Sequence, residues 1–399
     1  LDLRIAQARA REARARRGLV AAERLPSADA SAGYARLRES ENGPNGFSGE
    51  TDLFQAGFDA SWEIDVFGGV RRGIEAADAD LAASVEARRD VLVTLLAEVA
   101  QNYVELRGRQ RLLDIARDNL DAQRNTLRII RSRQEAGLGS DLDAAQAEAQ
   151  VRATESQIPS LRSGEMQAVH RLSVLLGLEP SALAEELSSV AEVPSPPPEV
   201  PVGLPSDLLR RRPDIRRAER ELTAATARVG VATADLFPRF SLTGSFGFIG
   251  TDAGDLAEHD SLAWSIGPSV RWNILDFGRT RSNIAVQGAR EEAALARYEQ
   301  AVLESLREVE DALVAFVNEQ ARRATLQEAV AANRRAVGLA VDLYQQGLSD
   351  FLSVLQSQRD LYASEAALAE SDQAVTTALI SLYKALGGGW EIERLAADR

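Results

Sequence analysis

Displaced against itself by 210 positions, the chain aligns without gaps over more than a hundred residues. Self-similarity of that length fixes the architecture as two copies of one structural unit. Trp62, Ile64, Phe67, Gly68 and Arg71 fall on Trp272, Ile274, Phe277, Gly278 and Arg281. Gly137, Leu138, Leu142 and Gln146 fall on Gly347, Leu348, Leu352 and Gln356, and Leu176-Gly177 falls on Leu386-Gly387. Upstream, a displacement of 212 pairs Asp2, Ala6, Arg16, Gly18 and Pro26 with Asp214, Ala218, Arg228, Gly230 and Pro238. The expected division is a first repeat over 1–177, a connector over 178–206, a second repeat over 207–387 and a C-terminal segment over 388–399. Within the connector, Pro194, Pro196, Pro197, Pro198 and Pro201 forbid regular helix and predict a stiff spacer.

Each repeat reads as helix, strand, loop, strand, very long helix, tight turn and returning helix. From Gly68 to Ala136 there is no proline, and alanine, arginine, leucine and glutamate dominate, which predicts one continuous helix of about 100 Å. Leu92, Val99, Leu106, Leu113, Leu120 and Leu127 recur every seven residues. Val302, Val309, Phe316, Val330, Val337 and Tyr344 answer them in the second repeat, with Arg323 interrupting the series. Sustained sevenfold spacing specifies a coiled-coil seam. Gly137 and Gly347 can take the positive φ that stops a helix, and Ser140 and Asp350 can cap the helices that return. The expectation is two long helical hairpins, 68–177 and 279–387.

The strands carry the functional signal. From Phe54 to Asp65 the chain alternates: Phe54, Ala56, Phe58, Ala60, Trp62 and Ile64 against Gln55, Gly57, Asp59, Ser61, Glu63 and Asp65. Period two is a strand with one apolar face. Strands are expected at about 28–38, 53–65, 239–249 and 261–273. About ten residues per tilted strand, with aromatics toward the ends, match the roughly 25 Å apolar band of an outer-membrane barrel. A small sheet packed on a soluble core would alternate in the same way, but no other segment offers a core for that face. Four strands cannot close a barrel, and open edges are not tolerated in lipid, so copies must pool their strands. On this reading Asp59, Glu63 and Asp65 line a hydrated lumen.

Composition closes off other classes. With 60 acidic against 46 basic residues and a net charge of −14, a polyanion partner is disfavoured, because nucleic-acid binding rests on clustered positive charge. No cysteine and two histidines, His170 and His259, leave too few soft or imidazole ligands for a metal centre, and no cofactor or catalytic group is expected. Asp276-Phe277-Gly278 copies a kinase tripeptide without its companion motifs and reads as a strand-end turn. His259, Asp260 and Ser261 are sequence neighbours, whereas a triad needs side chains converging from separate places. No run of 18 apolar residues provides a transmembrane helix. The chain begins at Leu1 rather than Met, which leaves room for a removed signal segment or a lipid-bearing cysteine ahead of it.

The segment DLLRRRPDIRRAERELTAATARVGVATADLFPRFSLTGS, Asp207 to Ser245, closely resembles the TolC-like outer-membrane factors, in particular the lipoprotein branch serving multidrug efflux pumps of the RND type. Phe67-Gly68 and Phe277-Gly278, the turns EAGLGSDLD and QQGLSDFLSVLQSQR, and the closing LGGGW extend the likeness over essentially the whole chain. The resemblance implies a homotrimer in the outer membrane of a Gram-negative bacterium. It implies a twelve-stranded β-barrel, four strands per subunit, continuing into a long periplasmic coiled-coil α-barrel with an equatorial mixed domain. The connector and the stretch after Gly388 would contribute to that belt, and N-terminal acylation stays inferred. The implied partners are a periplasmic adaptor, meeting tips formed by Gly137, Leu138, Ser140, Gly347, Leu348 and Ser349, and an inner-membrane proton-driven pump.

In the resemblance, Leu352 matches an apolar constriction of the periplasmic aperture and Tyr344 a gating tyrosine. Gln356 stands where an aspartate is usual and Leu343 where an arginine would link helices, so closure would lean on Leu352 and on charges such as Asp350. The same positions also suit an ordinary coiled coil or turn. The expected activity is a passive exit duct for drugs or other small toxic compounds, not an enzyme. The alternatives are a type I protein-secretion duct, or a coiled-coil scaffold or adhesin anchored by a small barrel.

Overall fold

The computed structural model describes residues 1–38, 49–194 and 211–388. In chain order the elements are α1 (Asp2–Ala22), β1 (Ser27–Arg38), β2 (Glu50–Ile64), α2 (Gly69–Glu135), α3 (Asp141–Leu175), α4 (Pro213–Ala234), β3 (Arg239–Gly250), β4 (Leu262–Arg271), α5 (Arg279–Gln345) and α6 (Phe351–Ala385). The duplication shows in the lengths: α2 and α5 each have 67 residues, α3 and α6 each have 35. Two compact units result, and neither is one repeat. The described parts of Ala6–Arg88 and Asp214–Ala301 form a sheet-bearing unit, and those of Leu1–Ile5, Arg89–Pro213 and Val302–Arg399 a helical unit. Helices this long take part in more than one packing unit, so the units cut across both repeats.

In the sheet-bearing unit the four strands form one antiparallel sheet in the order β1-β2-β3-β4. Register turns the alternation of each strand into continuous faces. Phe58 pairs with Ala30 and Phe246, Trp62 with Leu242, and Phe246 with Trp264. That apolar face is bare: Phe58, Trp264, Ile266 and Val270 are all exposed. On the other face Asp59 pairs with Asp29 on one side and Ser245 on the other. Two carboxylates directly opposed are destabilising unless water screens them, which identifies this face as the hydrated one. One row across it, Ser31, Gly57, Gly247 and Ala263, holds only very small side chains. Each sheet end is tied to its own helix corner, Trp62 Nε1 donating to the Arg24 carbonyl at 3.0 Å and Trp272 Nε1 to the Leu236 carbonyl at 3.1 Å.

In the helical unit the sevenfold positions Leu106, Leu113 and Leu120 are buried, as are Val309, Phe316, Val330 and Tyr344. At the N-terminal end of the α2 series the buried residue is Val93 rather than Leu92. The interruption at Arg323 is filled by charge: its Nε lies 2.5 Å from Asp372 Oδ1 of α6. After α3 the described connector residues are strapped to the helices. Arg107 Nη1 donates to the Ser189 carbonyl at 2.5 Å, Gln110 Nε2 to the Leu187 carbonyl at 2.9 Å and Thr376 Oγ1 to the Pro194 carbonyl at 3.0 Å. The remaining connector prolines and the residues after Gly388 lie outside the described residues.

Candidate functional site

The two hairpin tips are built alike. Gly137 and Gly347 have φ of 73° and 74°. At each turn the next amide bonds back five residues, Leu138 N to the Arg133 carbonyl at 2.8 Å and Leu348 N to the Leu343 carbonyl at 2.9 Å. This bonding pattern satisfies the carbonyls left at a helix end. Ser140 Oγ then accepts from Leu142 N at 3.1 Å, and Asp350 Oδ1 from Ser353 N at 3.1 Å and Ser353 Oγ at 2.7 Å. Those donors hold the Asp350 carboxyl below the usual range, so it serves as the cap of α6. Leu138 and Leu348 remain 70% and 71% exposed, with no local packing to account for them. Ser349, which separates Leu348 from the Asp350 cap in sequence, is half-buried.

Of the aperture candidates, Leu352 is exposed on the first turn of α6, and Gln356 is exposed and donates to Asp360 Oδ1 at 2.8 Å. Tyr344 is different. It is buried in a cluster that joins both hairpins: Ile130, Ala147, Ala340, Phe351, Val354 and Leu355. Burial raises its phenol above the ordinary value; nearby Asp143 adds to this and Arg133 opposes it. Position 343 is leucine, where the resemblance implies an arginine that links helices. The first repeat supplies one. Arg133 lies over the Tyr344 ring at 5.2 Å and donates to the Gln345 carbonyl at 2.9 Å. No periodicity could have revealed it, because the contact joins residues 212 apart.

Among the strand candidates, Asp59 and Glu63 lie on the hydrated face, with Glu63 opposite Ser241 and 3.9 Å from Arg239 Nη1. Asp65 does not belong with them. β2 ends at Ile64, and Asp65 turns to the start of α2, accepting from Arg71 N at 2.9 Å, Val70 N at 3.3 Å and Arg71 Nε at 3.2 Å. Partial burial works against its ionisation, but these donors outweigh it and lower its pKa. The strand alternation ran one residue too far because a carboxylate at a strand end also suits the four bare amides of the following helix. At the matching β4–α5 corner, Asp276 accepts from Thr280 Oγ1 at 2.5 Å, Thr280 N at 2.9 Å and Gly278 N at 3.0 Å. These hold it at about 2, and they account for the apparent kinase tripeptide.

The described residues present one hydrated strand face, one bare apolar face and two exposed tips. The arrangement matches known proteins in that form. The model of the outer membrane efflux protein family matches residues 1–178 and 204–388. The solvent efflux pump outer membrane protein SrpC of Pseudomonas putida is 34% identical over 399 residues, covering 98% of this chain and 83% of its own. The outer membrane protein OprJ of Pseudomonas aeruginosa is 34% identical over 382 residues, covering 95% and 79%. The solved outer-membrane channel OprN superposes with a TM-score of 0.94 at 38% identity, covering 98% of this chain and 87% of its own. With its duplicated strand-and-hairpin units and bare apolar sheet face, the chain belongs to the outer membrane efflux protein family and forms an efflux duct of the outer membrane.

Proposed function

We propose that three copies pool their strands into a twelve-stranded barrel whose apolar face meets lipid and whose hydrated face lines the bore. The carrying observation is the four-stranded sheet with two free edges and one uncovered apolar face. Two copies would supply eight strands, and a barrel of that size is filled by its own side chains; twelve leave a channel. Cyclic symmetry closes both edges at once. The duct is passive, with no catalysis of its own, and its cargo is small apolar toxic compounds such as the solvents named for the SrpC pump.

The tips formed by Gly137, Leu138, Ser140, Gly347, Leu348 and Ser349 are the surface for a periplasmic adaptor that links the duct to an inner-membrane proton-driven pump. Exposed leucines at both turns support that assignment. The aperture is set by Leu352, with Gln356 beside it and Tyr344 held in the tip core by Arg133. Asp59 and Glu63 make the bore acidic, favouring cations within about 8 Å of the wall at physiological salt.

The test is conductance of the purified protein in planar bilayers, alone and as Leu352→Ser, together with solvent sensitivity of a deletion strain. Conductance that rises in the variant and a sensitive strain support the duct. Protein that never conducts overturns it. A deletion strain that tolerates solvents but fails to export a protein would instead assign the cargo to protein secretion.

A further inference from the structure

The duplication yields an internal rule for how one repeat meets the next. Within the chain, repeat one meets repeat two where the β2–α2 corner rests on the α4–β3 corner. Phe67 stacks on Phe237 with ring centroids 4.5 Å apart and lies 6.3 Å from Phe240. Arg72 crosses the backbone of Gly230, its Cγ standing 3.0 Å from where a Cβ would be. The displacements of 210 and 212 carry these residues to Phe277 and Ser282 at the β4–α5 corner, and to Leu25, Ala28 and Gly18 at the α1–β1 corner.

Here every half of the joint is empty. Phe277 is 93% exposed where Phe67 is 44% exposed, and Leu25 is 68% exposed where Phe237 is 44% exposed. Nothing lies within 4 Å of a Cβ at Gly18. Ile274 and Leu275 add exposed apolar surface beside Phe277. Phe277 is also the one described non-glycine residue with positive φ, at 52°. The turn secured by Asp276 holds a bulky side chain in the left-handed backbone region that such residues avoid, and in the single chain that side chain is almost fully exposed.

We propose that Phe277, with Ile274 and Leu275, seats against the Leu25 corner of a second copy of this chain, repeating between copies the Phe67–Phe237 joint made within each. The contact is heterologous, head to tail, so it is not a two-fold pair, and the closure that the pooled barrel requires makes it a ring. It rests on the pooled-strand reading above, to which it adds a specific joint beside the strand ends. The acceptor is leucine rather than phenylalanine, so the joint between copies is aliphatic on one side where the internal one is aromatic on both.

The chain contains no cysteine, which makes crosslinking clean. Leu25→Cys combined with Phe277→Cys, in full chain extracted from outer membranes in detergent, is oxidised and run without reductant. The expected result is a ladder at two and three times the chain mass that reductant collapses. Phe67→Cys with Phe237→Cys is the companion, expected to close within one chain and leave the mass unchanged. A Leu25/Phe277 bond within one chain overturns the proposal. So does its absence in protein whose detergent mass is that of a trimer, a result that leaves the pooled barrel standing. Protein that is monomeric before oxidation overturns the pooled barrel and this joint together. As a second measurement, Phe277→Ala should lower the temperature at which the oligomer dissociates on semi-native gels, with Phe277→Leu keeping most of it; an unchanged alanine variant also refutes the joint.

Discussion

Gly57 and Gly247 face each other in the central strand pair, and their backbones come closer than any side chain permits. A Cβ on Gly57 would lie 2.8 Å from the Phe246 carbonyl oxygen and 2.9 Å from Gly247 Cα. One on Gly247 would lie 2.6 Å from the Ala56 oxygen and 2.7 Å from Gly57 Cα. The obstructing atoms are backbone on both sides, so no rotamer can relieve the contact. Reaching ordinary separation requires the strands to part by roughly 0.5 Å or more, which strains the flanking ladder bonds. Overpacking of this kind costs about 1–3 kcal/mol, and each weakened hydrogen bond adds on the order of 1 kcal/mol. Gly57→Ala should therefore lower the urea midpoint of vesicle-folded protein by the equivalent of about 1–3 kcal/mol with an unchanged slope, and Gly247→Ala by at least as much. Gly267→Ala, on the same face of β4 with nothing within 4 Å, is the control and should stay within about 0.5 kcal/mol. Equal shifts at Gly57 and Gly267 would refute the reasoning, since they would trace the loss to glycine replacement in general.

At the β4–α5 corner, Asp276 is lowered from the ordinary 3.8 to about 2 by Thr280 and Gly278. A depressed carboxyl contributes stability above its unfolded value and loses it as pH falls through its folded value. The difference in melting temperature between the parent and Asp276→Asn should thus be level above about pH 5 and vanish between about pH 4 and 2. In the helical unit, Arg323→Ala alone should destabilise by up to about 1 kcal/mol by removing the partner of the partly exposed Asp372. Arg323→Leu with Asp372→Leu should be neutral or stabilising, since the pair is replaced by apolar seam residues; a thermal double-mutant cycle reads the coupling.

Much of this fold is legible in sequence because its signals are periodic. Strand alternation placed the apolar face, and sevenfold spacing placed Leu106, Leu113 and Leu120. Where periodicity meets a boundary it overruns, as at Asp65, whose carboxylate serves the helix that follows. A strict seven-residue count also drifts against a helix of 3.6 residues per turn, and at the N-terminal end of the α2 series it is Val93, not Leu92, that is buried. Contacts between distant segments leave no local mark at all. Arg133 on Tyr344, and Arg107 and Gln110 on the connector carbonyls, depend on which helices become neighbours.

The row Ser31, Gly57, Gly247 and Ala263 runs the full width of the sheet without one long side chain. Rolled into a cylinder, it becomes a girdle with almost no reach toward the axis, so molecules of very different outline would pass that level unhindered. Sorting of cargoes by shape would then fall to whatever delivers them, and the exit itself would be a spout that reads charge and not outline.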